Sequence, residues 1–493
     1  MPQHVVPRLV VYHLLITLCD GSFMTEVHVT KTTSSTSRLA QFASALRFED
    51  LSAQVVEKAK TCLLDTLGCC LFGSTLDSIH KLTTFIASER CGNQATVFGS
   101  GLRTSAANAA LVNATGAHAF QLDEIHIKST LHPGSLAAPV ALNLAESIGN
   151  YDGKQLIAAL VAGYEVGIRI GLACKGGMFT RGFHNQGTTG VFVAAACAAR
   201  LLGLNHAQTV HALGIAGSQA AGLMAVQEGA MTKSFHSGRA AQSGVYAARL
   251  AQIGYTGIPD VLEAPYGGFL SALIGEGYSE KELCDELGEQ WHILHVGFKP
   301  APASNGSITA MAAMDKVMRE HRLQAQDIER VTALVSTNTL HHCGWAYEAA
   351  NVQGVLAAQM NLRYGIAVMA LEREATVKQF TQEKLRDAAI LAFIERIEVA
   401  VNPPYDESSG KYRVACKLRV RCRDGVQHES EVLYRKGSIE DPMSASELDY
   451  KFVTLATSAL PESTARKIAD AVAHIDDDGT RELLRLLAAP VNT

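Results

Sequence analysis

The sequence is short of charge and of aromatic rings: of 493 residues, 18% are Asp, Glu, Lys or Arg, 6% are Phe, Trp or Tyr, and two are tryptophan. Its 43 basic side chains are outnumbered by 48 acidic ones, giving a formal net charge of -5. Such a chain has no basic field to hold a phosphate backbone, so no nucleic-acid partner is expected. Paired cysteine spacing is also missing. The 11 cysteines are an odd number scattered from Cys19 to Cys422, which argues against a secreted disulfide framework and for a reducing compartment. The expected location is the cytoplasm, with the mitochondrion as the alternative. No dinucleotide fingerprint, P-loop or iron–sulfur cysteine pattern occurs, and His341-His342-Cys343 lacks the spacing of a metal site. No segment reads as a membrane span: Leu9 to Cys19 is too short and is interrupted by His13.

What is present is 47% apolar residues, rich in Ala, Gly and Leu, over a length suited to two cores rather than one. Residues 1–36 hold a Ser/Thr-rich stretch behind Met24 and read as a disordered leader or an over-extended start. From Leu51 to Phe72, Val55, Val56, Ala59, Leu63, Leu67 and Cys70 recur at three and four, the period of one buried helix face, with Gly73 as the end signal. Ala106–Gln121, Pro139–Glu146 and Leu156–Leu172 continue the helical pattern. Gly190–Leu202 and His206–Val226 are dominated by small residues that let helices approach closely. Beyond Lys299 the pattern changes. Pro300 and Pro302 interrupt any helix, Arg330–Ser336 and Ile397–Val401 alternate with strand period, and Val414–Val420, Asp424-Gly425 and Glu431–Tyr434 read as a hairpin. Ser444 and Glu447 have capping-box spacing before a last helical region ending near Leu487. The expected organisation is a mainly α protein: a helical domain over 37–294 completed by 441–493, with a smaller α+β lid over 295–440.

Several residues stand out for chemistry. Asp123, Glu124, His126, Lys128 and His132 fall within ten positions and end at the Pro133-Gly134 turn. His184 follows a glycine-rich loop and precedes a small-residue helix, where the helix dipole would lower its pKa. Lys233, His236 and Arg239 fall at steps of three, a cationic face suited to a polycarboxylate, and Lys299 lies at the domain junction.

Leu63-Leu64-Asp65-Thr66-Leu67-Gly68, Leu122-Asp123-Glu124, His132-Pro133-Gly134-Ser135, Gly163-Tyr164-Glu165, Gly182-Phe183-His184, Lys233 through Gly244, Tyr266-Gly267-Gly268-Phe269, Gly297-Phe298-Lys299-Pro300 and His342-Cys343-Gly344-Trp345 together resemble the MmgE/PrpD family. That family includes 2-methylcitrate dehydratase, cis-aconitate decarboxylase and iminodisuccinate epimerase. The resemblance implies a helical domain built from both chain ends around an α+β lid, a homodimer, and chemistry without cofactor or metal on di- or tricarboxylic acids. Carried over by motif, it marks Asp123 and Glu124 as the acid region, His132 and His184 as the histidines, and Lys233 and Lys299 as the lysines. The pattern departs after Lys299, where Ala301-Pro302-Ala303-Ser304-Asn305-Gly306 and Thr309 replace a cysteine-rich run with a following histidine.

Abstracting a proton beside a carboxylate and expelling water requires a base, an acid and cations over an enediolate-like intermediate. The expected assignment is His132 and His184 for proton transfer, Asp123 to orient them, Lys233 and Lys299 on the carboxylates, and Glu124, His126, His236 and Arg239 in substrate binding. The preferred reaction is dehydration of 2-methylcitrate or another alkylcitrate. The alternative is cis-aconitate decarboxylation to itaconate, and the outsider is a carboxylate-binding relative without turnover.

Overall fold

Ser34 caps a first helix, α1 (Ser35–Ala45), whose Thr36 hydroxyl donates to Glu263 at 2.6 Å. The last residues of the stretch read as a leader are therefore structured. The structure is a computed structural model; it describes residues 34–348, 354–407 and 410–490, and for 227 and 228 the backbone alone. Residues 1–33, with the Leu9–Cys19 run and Met24, lie outside the described residues.

Ser52 accepts the Val55 amide and starts α2 (Ala53–Gly73), which ends at the predicted glycine. There follow α3 (Ala106–His118), α4 (Gly134–Ile148), α5 (Gly153–Ala173), α6 (Gly190–Leu201), α7 (His206–Gly217) and α8 (Thr232–Gln252). Small residues set the spacing of this bundle. A Cβ on Gly73 would lie 2.2 Å from the Gly116 carbonyl, and one on Gly238 would lie 2.1 Å from Thr115 Oγ1 and 2.3 Å from the Leu111 carbonyl. Both crossings put backbone against backbone, as ridges of larger side chains would not allow.

Two helices differ from expectation. The segment expected to start at Pro139 begins at Gly134, with Pro139 inside the helix. Proline cannot donate to the carbonyl four residues back. That carbonyl, of Ser135, instead receives the Ser237 hydroxyl from α8 at 3.4 Å. And α5, contrary to the expectation that no segment qualifies, is long and apolar enough by length and composition to cross a membrane. It is wrapped by other helices, with 94% of its apolar window buried.

After α9 (Asn305–Glu320) come β1 (Ile328–Val335), α10 (Leu362–Glu372), β2 (Ile397–Val401), β3 (Cys416–Cys422) and β4 (Gln427–Val432). The sheet order is β2-β1-β3-β4, with β1 and β2 parallel and the other pairs antiparallel. The β3–β4 hairpin turns at Gly425 (φ +88°), and the Asp424 side chain accepts the Val426 amide. Its second strand starts four residues earlier than its apolar residues suggest, because the exposed positions of an edge strand are polar.

Ser444 and Glu447 form the expected capping box at the start of α11 (Ala445–Ala456), and α12 (Glu462–Ala473) follows. One hydrophobic core joins side chains from Leu39 to Phe298 with Phe452 to Leu487; a second gathers Ala301 to Cys422 and reaches Cys69, Phe120, Leu122 and Leu455. The fold is mainly α. The ten cysteines among the described residues are all free.

Candidate active site

Residues 121–125 are held by several elements. The Gln121 carbonyl accepts Lys299 Nζ at 3.1 Å, and the Leu122 carbonyl accepts Lys451 Nζ at 2.7 Å. Lys451 also reaches the buried Asp65 carboxylate at 2.6 Å. Asp123 points back at α3, Glu124 at the start of α4, and Ile125 pairs with Gly297 in both directions, at 2.8 and 2.9 Å. Gln121 sits at φ +60°, a conformation that costs a non-glycine residue free energy and turns its carbonyl toward Lys299.

Asp123 is fully buried, and its Oδ2 lies 2.8 Å from His118 Nδ1 and 3.3 Å from His132 Nδ1. His118 Nε2 is in turn 3.4 Å from Lys233 Nζ. A lysine ammonium only donates, so His118 accepts at Nε2 and carries its proton on Nδ1, toward Asp123. The run Lys233–His118–Asp123–His132 is therefore continuous. Burial pushes the His118 pKa down to about 3, against the pull of Asp123, so this imidazole is neutral. Burial alone would raise the Asp123 carboxyl, but the two histidines beside it hold it well below the usual carboxylate range. Burial also lowers His132, with Asp123 opposing.

The cavity in front of this run is lined on the helical side by His132, His184, Lys233 and Lys299, and on the α+β side by Ser304, Asn305, Gly306, His342 and Arg413. Its lining among the described residues includes no carboxylate. Burial lowers Lys233 to about 8 and Lys299 to about 7, with Asp123 opposing both and neighbouring Lys233 adding to the fall of Lys299. Asn305 Oδ1 has no hydrogen-bond partner.

Of the residues expected in the site, Asp123, His132, His184, Lys233 and Lys299 are brought together. His184 caps a single helical turn, Asn185–Thr188, and its Nδ1 lies 3.0 Å from His236 Nδ1. Its pKa falls well below the ordinary value, the direction expected, through burial first, with Lys233 and His118 next in effect. His236 thus supports His184 without lining the cavity. Arg239 is exposed and bonds Gln242. Three residues turn a helix by about 300°, so each step slips by about 60° and carries Arg239 away from the cavity.

Glu124 is not brought to the cavity. Its carboxyl accepts the Gly134 amide at 2.6 Å, lies 3.0 Å from the Tyr164 hydroxyl, and accepts from Thr66. Burial raises its pKa to about 8, so at neutral pH it is a protonated brace at the start of α4. Glu124→Gln is expected to keep activity and melting temperature near wild type. Glu124→Ala, which leaves the Gly134 amide unpaired, should cost about 1–3 kcal/mol in a denaturation experiment. His126 turns away as well and meets His292 and His295.

Reasoning from the sequence missed His118, His342 and Arg413. His118, five residues before Asp123 at the end of an Ala-rich helix, was the legible one. Arg413 reaches the cavity only through the sheet's topology. Two groups of described residues offer ligand atoms within 4.8 Å of one another: His118, Asp123 and His132, and His126, His292 and His295. In the first group both Nδ1 atoms are already committed to Asp123.

A model of the MmgE/PrpD N-terminal domain matches residues 37–281, and one of the MmgE/PrpD C-terminal domain matches 302–477. A cis-aconitate decarboxylase of Aspergillus terreus is 30% identical over 476 residues, 93% of this chain and 96% of its own. The cis-aconitate decarboxylase-like protein oryM of Aspergillus oryzae is 29% identical over 483 residues, 94% and 99% of the two chains. The human cis-aconitate decarboxylase is 27% identical over 477 residues, 93% and 95%. With both domain models matched in order along most of its length, the chain belongs to the MmgE/PrpD family.

Proposed function

We propose that this protein is a carboxy-lyase that decarboxylates cis-aconitate to itaconate. One observation carries the reading: a buried cavity lined, among the described residues, by two lysines, an arginine and three histidines and by no carboxylate, backed by a hydrogen-bonded run that ends on His132. Such a cavity suits a tricarboxylate. The relatives' activity favours decarboxylation over the dehydration expected from the sequence, which would use the same groups.

The chemistry follows from the substrate's own bonds. The C–C bond between the methylene and its carboxylate breaks, carbon dioxide leaves, and the electron pair spreads over the allylic system into the terminal carboxylate of the alkene. Lys233 and Lys299 are assigned to the remaining carboxylates, where positive charge stabilises this enediolate-like anion. A proton delivered to the carbon beside that terminal carboxylate leaves the terminal C=CH₂ of itaconate. His132 is assigned as that donor in its imidazolium form, which Asp123 supports from the Nδ1 side while the transferred proton leaves from Nε2.

The test is incubation with cis-aconitate, 2-methylcitrate and citrate in D₂O, followed by proton NMR. Itaconate carrying one deuteron in its saturated methylene supports the reading. An alkene formed from a citrate-type acid would replace it with dehydration. Thermal stabilisation by tricarboxylates without turnover would replace it with binding alone.

The lysines also set a pH dependence. Both bind carboxylates only when protonated, so kcat/KM should fall as pH rises through about 7 and about 8. A bound polyanion raises both values, so kcat should fall at higher pH than kcat/KM. Steady-state pH profiles of both constants check this.

A further inference from the structure

Next to the Ile125–Gly297 pairing in sequence, His126 after Ile125 and His295 two residues before Gly297, is the second histidine group, which does not line the cavity and has no part in the reaction above. His126 Nδ1 is 2.9 Å from the Ser129 hydroxyl, and that hydroxyl is 3.2 Å from the His126 carbonyl. The Ser129 amide also donates to Nδ1, at 3.3 Å, so Nδ1 accepts in the free protein; an ion on Nε2 would move the ring's one proton to Nδ1, where the Ser129 hydroxyl can accept it as the outer partner of a metal-ligating histidine. His292 and His295 stand at the two ends of one helical turn, and His292 has its ring centroid 6.0 Å from each of the other two. One ligand atom from each lies within 4.8 Å of the others.

We infer that His126, His292 and His295 form a binding site for a transition-metal ion of the Zn²⁺ class, separate from the substrate cavity. Three imidazoles and no carboxylate suit a borderline-soft ion and not Mg²⁺ or Ca²⁺, which take oxygen ligands. His126 and His292 are buried and His295 is exposed, so a fourth position opens toward solvent on the His295 side. Lys128, Lys58 and Arg169 also face the group, and Arg169 is itself 3.6 Å from Glu165. An ion there must bond imidazole strongly enough to offset their repulsion, which again selects the Zn²⁺ class. Such an ion would tie the segment carrying Asp123 and His132 to the one leading into Lys299.

The experiment uses the full chain, dialysed against chelator and titrated with Co²⁺ and Zn²⁺. Expected are one equivalent of Co²⁺ with the visible absorption of a four-coordinate imidazole site, and a melting temperature that rises with Zn²⁺ and saturates at one equivalent. His295→Ala, at an exposed position that tolerates the change, should weaken Zn²⁺ binding by more than the ~10–100-fold that losing an outer partner costs. His132→Ala, which breaks the other group, should leave it unchanged. The inference is overturned if the wild type shows neither signal, if His295→Ala binds as tightly as wild type, or if His132→Ala abolishes binding.

Discussion

Lys299→Met is expected to lower kcat/KM by about two to three orders of magnitude while raising the melting temperature of the free enzyme. Losing a buried charge that meets a ligand carboxylate costs about 2–5 kcal/mol of binding. The gain in stability has the same origin. Lys299 is buried with one carbonyl for a partner, that of Gln121, and burial, Lys233, Arg435 and Lys451 all push its pKa down, to about 7. Charge is thus unfavourable in the fold and unhindered in the unfolded chain, where a lysine titrates near 10.5. Between those two values the unfolded chain binds more protons, so the wild-type contribution is complete above 10.5 and is lost as pH falls toward about 7. Methionine fills similar space with no charge, and the variant should lack this slope. Kinetics and thermal melts across pH check both halves. A variant within tenfold of wild type in kcat/KM would remove Lys299 from the site.

Asp123→Asn should reduce kcat by about 10²–10⁴-fold with little change in KM, by analogy with the loss of the orienting carboxylate in a catalytic triad. One oxygen, Oδ2, serves both His118 and His132. An asparagine with its oxygen in that place still accepts from both but without the negative charge, and one with its amide there turns N–H groups to both histidines and forces the wrong tautomer. A second signature separates this from a packing defect. Asp123 is the group that supports the protonated forms of Lys233 and Lys299, so its neutralisation should move the alkaline limb of kcat/KM to lower pH. An unmoved limb would assign Asp123 a structural role only.

These residues also mark how far the sequence could be read. Helical period located α2 and α6 to within about two residues because their buried faces are continuous, and the three-residue steps of Lys233, His236 and Arg239 fit the start of α8 without giving its extent. Pro139 misled the placement of α4, since nothing local reveals that Ser237, about a hundred residues away, satisfies the carbonyl that the proline frees. Glu124 and Asp123 are neighbours of similar chemistry, and only the backbone's path decides that one braces α4 while the other faces the histidines. The parallel pairing of β1 with β2 was likewise invisible to alternation, which reports faces and not partners. Arg413 and His342 enter through that topology.

The glycine crossings of α8 bear on how this enzyme could change its substrate. Gly238 meets the backbone of α3, and a Cβ on Gly244 would lie 2.3 Å from the Ala194 side chain of α6. A helix seated on its neighbours' main chains cannot be shifted by exchanging one side chain for another. The position of Lys233, and with it the carboxylate contact proposed for it, is therefore closed to gradual retuning. New specificity has to be found on the opposite wall, where Ser304 and Asn305 stand at the start of α9, His342 on a short helix and Arg413 on a turn, so a mutational library aimed at other tricarboxylates belongs there and not on α8.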